Sequence, residues 1–107
     1  MNAPQAGAEH LIAMSEFGEC LTTRDLAKEA CVKVLSLIHG GAKVVFDLSQ
    51  TQIITPSFAD ELFGVLLTTL GKEEFKAKVG FSGANEQTKR LVNLVLNRRL
   101  QQLRSAA

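Results

Sequence analysis

The chain has 107 residues, the size of one compact domain. Its composition, 46% hydrophobic and 21% charged, is typical of a folded protein and excludes an intrinsically disordered one. A net charge of +1 gives no overall attraction to nucleic acid or a membrane surface, and no apolar run reaches the roughly 18 residues of a membrane span. We therefore expect a protein that binds neither membrane nor nucleic acid.

The two ends of the chain and its cysteines add to this expectation. Residues 1–8 read as a flexible tail without the basic and apolar regions of a signal peptide, and residues 9–104 as one domain. Cys20 and Cys31 are too few for a disulfide framework or a zinc site, which favours a cytoplasmic protein with free thiols.

The charge is unevenly distributed along the chain. Residues 1–71 carry a net charge of −4 and residues 72–107 carry one of +5. This asymmetry marks either a binding face or basic residues gathered near a helix C-terminus.

The first half of the domain alternates between strand and helix patterns. The apolar run at residues 10–14 predicts a strand, and Gly18 to Thr23 reads as a turn. Thr22 or Thr23 caps a helix whose apolar residues, from Leu26 to Ile38, recur every three or four positions. That helix ends at the Gly-Gly pair at residues 40–41. A buried strand follows at residues 43–48.

The second half repeats the alternation. Thr55-Pro56-Ser57 opens a helix that is apolar on most sides and ends at Gly71; its start has a capping residue, a proline and Asp60 three residues after Ser57. Residues 72–76 read as a charged connector and residues 77–82 as a third strand. Asn85 then caps a last helix that runs toward Gln102.

Strand-helix alternation of this kind predicts an α/β fold with a small, mostly parallel or mixed sheet and helices packed on it. The loops that follow parallel strands gather at one edge of the sheet, where ligands and partners bind. We therefore expect Arg24, Ser57 and Asn85 to lie on the same side of the molecule.

The segment VVFDLSQTQIITPSFADELFGVLLTTLG, residues 44–71, resembles the centre of the STAS domain family, which includes the bacterial anti-sigma factor antagonists. The likeness is nearer to STAS-like prokaryotic proteins of unknown role, whose loop reads Thr-Pro-Ser-Phe-Ala-Asp-Glu, as at residues 55–61 here. Leu21-Thr22-Thr23-Arg24 and residues 85–98 also resemble that family. In this alignment Ser57 stands where the antagonists carry their phosphorylated serine, whereas Thr55, Pro56 and Phe58 depart from the antagonist pattern.

The sequence contains no Walker loop, no GxGxxG after a strand, no GxSxG and no metal-ligand cluster, so we expect no catalytic activity, metal or cofactor. The resemblance implies a regulatory protein-interaction module. It would dock through the loop and the helix that starts at Ser57, and phosphorylation of Ser57 would act as a switch. The partner implied is a protein, such as an ATPase of the histidine-kinase type or a sensor. The expected docking or phosphate contacts are Arg24, Thr55, Phe58, Asp60, Glu61 and Asn85.

Several alternatives stay open at this stage. Ser57 is either a switch or only a capping or first-turn residue, and Asp60 and Glu61 would repel a phosphate on it. Phe58 is either a docking anchor or the first core contact of its helix. The same loop edge would also suit a small ligand or a nucleotide, and an immunity-like or structural subunit is a third interpretation. An exposed edge strand at residues 10–14 would permit a homodimer.

Overall fold

The structure is a computed structural model that describes residues 9–18, 20–51 and 53–106. Within these residues five strands form two parallel sheets. The predicted tail, residues 1–8, lies outside these residues. The strands are β1 (Glu9–Ala13), β2 (Cys20–Leu21), β3 (Lys43–Asp47), β4 (Ile53–Ile54) and β5 (Val79–Ser82). The main sheet has the order β1-β3-β5, and β2 pairs with β4 in a second, two-stranded ribbon. The predicted parallel sheet is confirmed.

The helices follow the strands in the predicted alternation. They are α1 (Arg24–His39), α2 (Pro56–Ala59), α3 (Val65–Leu70), α4 (Lys72–Lys78) and α5 (Glu86–Ala106), with a 3₁₀ turn at Met14–Phe17. Between α2 and α3 lies a π-helical turn, Asp60–Gly64, in which the N–H of Val65 donates to the carbonyl of Asp60, five residues earlier. Because the backbone stays helical across both junctions, residues 56–70 form one continuous helix, called here the central helix.

The helices cover one face of the main sheet. Because alternate residues of a strand point to opposite faces, each strand places one set of side chains on the covered face and the other set on the opposite face. On the covered face, Ile12, Phe46 and Phe81 stand side by side in register. On the opposite face Leu11, Val45 and Gly80 are in register, and Leu11 is 66% exposed. The fold is therefore a two-layer α/β arrangement, with helices packed on the sheet as expected.

Three phenylalanines join the sheet to the central helix. The ring centroid of Phe46 lies 5.1 Å from that of Phe63 and 5.7 Å from that of Phe81, and the Phe63 and Phe81 centroids are 5.0 Å apart. Phe46 and Phe63 are fully buried. Rings at these separations add attraction beyond the burial of their surface. This cluster, at the middle of the core, fixes the central helix against β3 and β5.

Two sequence-based assignments were wrong. Residues 72–76 are not a connector, because α4 spans Lys72–Lys78 and β5 begins only at Val79. The helix forms because Phe75 is buried and because acidic residues in its first turn and lysines in its last turn suit the helix dipole. The segment read as a turn up to Thr23 contains the short strand β2, which forms because β4 pairs with it.

No helix in the described part of the chain combines the length and the hydropathy needed to cross a membrane.

Candidate functional site

The loops after β3 and β5 are in contact at the carboxyl edge of the sheet. The N–H of Leu48 donates to the carbonyl of Ser82 at 2.9 Å. Gly83 has a φ of +71°, and a Cβ at that position would lie 2.8 Å from the Cβ of Ser49 and 2.9 Å from its backbone nitrogen. Only glycine allows this approach without strain. The two loops are thus held together, as the strand order predicts.

Asp47, the last residue of β3, organises the first of these loops. Its Oδ1 accepts the N–H of Ser49 at 3.0 Å, so the carboxylate caps the loop that follows the strand. Hydrogen bonds from Ser49, first from its side chain and then from its backbone, lower the pKa of the Asp47 carboxyl. Asp47 is therefore ionised at neutral pH and acts as a structural acceptor.

Thr55 caps the central helix and ties it to the segment before α1. Its hydroxyl accepts the N–H of Phe58 at 3.2 Å and faces the carbonyl of Thr22 at 3.4 Å. Its own N–H donates to the carbonyl of Leu21 at 3.0 Å. The capping residue is thus Thr55, with Pro56 at the first helical position and Ser57 at the second.

We expect Thr55→Ala to lower the free energy of unfolding by about 1 kcal/mol, because an orphan helical N–H loses its acceptor. Urea denaturation followed by circular dichroism measures the loss. Thr69→Ala is the matched control, since Thr69 is exposed within α3 and caps nothing. Equal losses in the two variants would contradict a capping role for Thr55.

Asp60 forms a bidentate ion pair with Arg99 of α5. Nε and Nη2 of Arg99 each donate to one carboxylate oxygen of Asp60 at 2.8 Å. This bonding lowers the pKa of Asp60 and raises that of Arg99. Gly64 makes room for the arginine, because a Cβ there would lie 2.7 Å from Asp60 Oδ1 and 2.9 Å from Arg99 Nε. Asp60, which follows Ser57 by three residues, is therefore bound to α5, and its role as a docking or phosphate contact stays a prediction.

Glu61 pairs with Arg24, a basic residue that the sequence analysis singled out. Nη1 of Arg24, at the start of α1, lies 3.3 Å from Glu61 Oε1. The Arg24 side chain is 62% exposed and that of Glu61 is 21% exposed. An arginine in the first turn of a helix meets an unfavourable dipole, and the contact with Glu61 offsets it. Both carboxylates that follow Ser57 are thus neutralised by arginines from other elements.

The remaining predicted residues have different environments. Ser57 is half-buried in the first turn of the central helix. Phe58 is fully buried, so it is a core contact and its expected role in docking is wrong. Asn85 caps α5 as predicted, because its Oδ1 accepts the N–H of Thr88 at 2.8 Å. Among the described residues no hydrogen bond or ion pair joins Arg24, Ser57 and Asn85 directly.

A groove connects the central-helix start with α5. It has a volume of about 320 Å³ and is lined by Ile53, Ile54, Pro56, Gln87, Thr88 and Leu91. Pro56 and Ile53 are exposed, Ile53 to 52%. The groove lies next to Ser57 and to the Asn85 cap, so the structure does bring these two loops to one edge of the molecule.

The cysteines and the acidic side chains form no further centre in the described part of the chain. Cys31 is buried, and its burial, followed by the charge of Glu61, raises the pKa of the thiol. Cys20 is exposed. Within residues 9–18, 20–51 and 53–106, no three His, Cys, Asp or Glu side chains stand close enough together to hold a metal ion.

Comparison with known proteins identifies the family of this domain. The model of the family described as "STAS-like domain of unknown function (DUF4325)" matches residues 30–89, more than half of the chain. The chain belongs to this family. The match runs from the middle of α1 to the start of α5 and includes the whole central helix of this STAS-like domain. Searches of curated proteins and of solved structures returned no significant match.

Two residues that shape the site of the STAS-like domain escaped the sequence analysis. Arg99 lies 39 positions from Asp60, and nothing in the local pattern of α5 distinguishes it from Arg98. Gly64 interrupts an apolar helix, and a glycine inside a helical pattern is the signal that would have pointed to a close approach.

Proposed function

We propose that this STAS-like domain is a regulatory protein-interaction module that acts by binding a partner protein and catalyses no reaction. Docking would use the edge surface, defined here as Arg24, Ile53, Pro56, Ser57 and Glu61. The observation that carries the proposal is the environment of Ser57. This serine stands in the first turn of the central helix, and the two acidic residues one turn later are both already paired with arginines.

This pairing changes the expected cost of a phosphate on Ser57. A phosphoserine carries a charge of about −1.5 to −2 at neutral pH and is favoured at a helix start by the dipole and by free N–H groups. Asp60 and Glu61 alone would repel it, but Arg99 and Arg24 offset their charges. Arg24 is mostly exposed, and among the described residues its one ion pair is with Glu61, so it could turn to a phosphate, which binds guanidinium in a bidentate contact. Phosphorylation would then rearrange the edge surface without unfolding it.

The composition of the edge surface also suits a protein partner. Exposed apolar groups, Ile53 and Pro56, lie beside an arginine-carboxylate pair that a partner could exchange for its own. Apolar contacts in the middle and charges around them are the usual anatomy of a protein interface. A histidine-kinase-type ATPase or a sensor, the partners that the STAS resemblance implies, would combine both kinds of contact.

A test of the switch begins with phosphosite mass spectrometry on the protein from its native cells. We expect phosphate on Ser57 in at least one growth condition. Complete coverage of residues 53–72 without phosphate in any condition would contradict the switch. The Ser57→Ala variant should keep its stability, because Thr55 and not Ser57 caps the helix.

Docking itself is tested by photo-crosslinking in cells. A photoreactive residue at Ile53 should give a crosslinked partner, and Ser57→Asp should reduce that product roughly tenfold, a usual size for a regulatory coupling. Val32 on α1 is 72% exposed and outside the edge surface, so the same probe placed there is the control. Equal products from both positions, unaffected by Ser57→Asp, would contradict docking through the edge.

The groove favours a second candidate, a small-ligand or nucleotide site at the same edge. Its volume of about 320 Å³ lies at the low end of the range for ligand pockets. A nucleotide that binds only the folded state would raise the melting temperature, and the rise would grow with the logarithm of the nucleotide concentration above Kd. A scan with ATP, ADP and GTP separates this candidate from protein docking.

A further inference from the structure

Two depressions follow one another along one side of α5, away from the edge surface. The first, of about 270 Å³, lies between α5 and the end of β5 and is lined by Phe81, Ala84, Lys89, Val92 and Asn93. The second, of about 130 Å³, lies between α5 and α4 and is lined by Leu67, Lys72, Phe75, Lys76, Leu96 and Leu100. Together they are called the α5 groove.

The two depressions lie on one strip of the helix surface. Lys89, Asn93, Leu96 and Leu100 follow the spacing i, i+4, i+7 and i+11, which places them on one side of α5. At 1.5 Å per residue the centres of the two depressions are about 10 Å apart, or roughly two helical turns. The strand beside them, β5, is an outer strand of the main sheet, so no further strand of that sheet covers the groove.

The groove combines an apolar floor with a basic rim. Leu67, Leu96 and Leu100 contribute aliphatic surface, and Lys72 and Lys76 stand at the rim of the same depression. Among the described residues neither lysine has a carboxylate within 4.0 Å, and no acidic side chain lines either depression.

The charge of the surrounding chain reinforces this character. Lys89, in the first depression, pairs with Glu86 at 3.6 Å, and both side chains are more than half exposed. Such a pair is weak and easily exchanged for another carboxylate. Residues 72–107, which supply most of the lining, hold eight basic and three acidic side chains. The three acidic residues are Glu73 and Glu74 of α4 and Glu86, the partner of Lys89. A partner that approaches the groove therefore meets Lys72 and Lys76, which form no ion pair among the described residues, and the weakly paired Lys89.

We propose that the α5 groove binds an acidic amphipathic helix of a partner protein. Two apolar side chains about two turns apart would enter the two depressions, and flanking Asp or Glu residues would face Lys72, Lys76 and Lys89. Spacing and charge complementarity carry this assignment, because a helix with apolar residues at i and i+7 matches the separation of the depressions. The assignment is independent of Ser57 and of the edge surface.

The test is a selection from a phage-displayed library of random peptides of about 16 residues, with the full-length protein as bait. We expect the enriched peptides to carry several Asp or Glu residues and two large apolar residues about seven positions apart. A failure to enrich any peptide, or enrichment of peptides without acidic residues, would overturn the proposal.

Charge-reversed variants then locate the binding. Lys72→Glu combined with Lys76→Glu should weaken an enriched peptide roughly tenfold or more, as measured by fluorescence polarisation. Lys28→Glu combined with Lys43→Glu makes the same change in net charge at exposed positions outside the groove and should leave the affinity within about twofold. Equal losses in the two double variants would show a nonspecific charge effect and overturn the proposal.

Two further outcomes would also overturn it. A single-stranded oligonucleotide that displaces the peptides and binds through the same lysines would make the groove a nucleic-acid site. A dimer in sedimentation that Lys72→Glu with Lys76→Glu dissociates would make it a contact between copies of the chain. The edge-surface crosslink at Ile53 should persist in this double variant, so failure here and failure of the proposed function are distinguishable.

Discussion

We expect Phe63→Ala to lower the free energy of unfolding by about 3–5 kcal/mol, the usual cost of removing a buried phenylalanine. Phe63 is fully buried and contacts Phe46 of β3 and Phe81 of β5 at centroid distances of 5.1 and 5.0 Å. Its removal would leave a cavity where the central helix meets the sheet. Because small domains have only about 5–15 kcal/mol of total stability, a large part of the variant should unfold under mild conditions.

Equilibrium urea denaturation measures this loss, and Phe17→Ala is the matched control. Phe17 is half-buried in the 3₁₀ turn, and its ring contacts the ammonium of Lys33 at 5.9 Å but not the three-ring cluster. We expect its loss to be clearly smaller. A loss below about 1 kcal/mol for Phe63→Ala would contradict the central position of the cluster.

We expect Gly83→Ala to cost about 2–4 kcal/mol, from two additive effects. An alanine at a φ of +71° is strained by about 1 kcal/mol or more relative to glycine. Its Cβ would also lie 2.8 Å from Ser49 Cβ and 2.9 Å from the Ser49 nitrogen, closer than such atoms pack. Relief requires movement of the backbone after β3, and overpacking of this kind costs about 1–3 kcal/mol.

Thermal denaturation of Gly83→Ala should show a melting temperature lower by roughly 8 °C or more for a domain of this length. Ser49→Gly in the same chain removes one of the two close contacts, so the double variant should recover part of the loss. If Ser49→Gly restores nothing, the Cβ of Ser49 does not contribute to the loss, and the effect comes from backbone strain and from the contact with the Ser49 nitrogen.

Phe63→Ala and Gly83→Ala both test contacts that tertiary packing decides. Other features of the fold are decided by the local sequence. The apolar periodicity of α1 and of the central helix, the caps at Thr23 and Asn85, and the strand at Lys43–Asp47 follow from residues within one or two turns of each other. Local patterns predict such features because their causes are local. Alternation of strands and helices then restricts the connections to right-handed parallel crossovers, which is why the sheet could also be predicted.

Local sequence patterns do not predict short elements whose partners are distant in the sequence. β2 and β4 have two residues each, and they are strands only because they pair with each other across more than 30 positions. The helix α4 has one buried apolar side chain, Phe75, so its apolar period is too short to recognise. In both cases tertiary contact decided a structure that local preference leaves open.

The candidate site divides in the same way. The sequence by itself determined that a helix starts at Thr55-Pro56, that Ser57 stands in its first turn and that this turn lies at the carboxyl edge of a parallel sheet. Only the tertiary structure decided that Phe58 is buried, that Arg99 binds Asp60 across Gly64 and that Arg24 binds Glu61. The physical reason is the separation along the sequence between the residues that interact. A helix start is fixed by hydrogen bonds within a single turn, whereas an ion pair or a burial pattern depends on which distant side chains packing brings within a few ångströms.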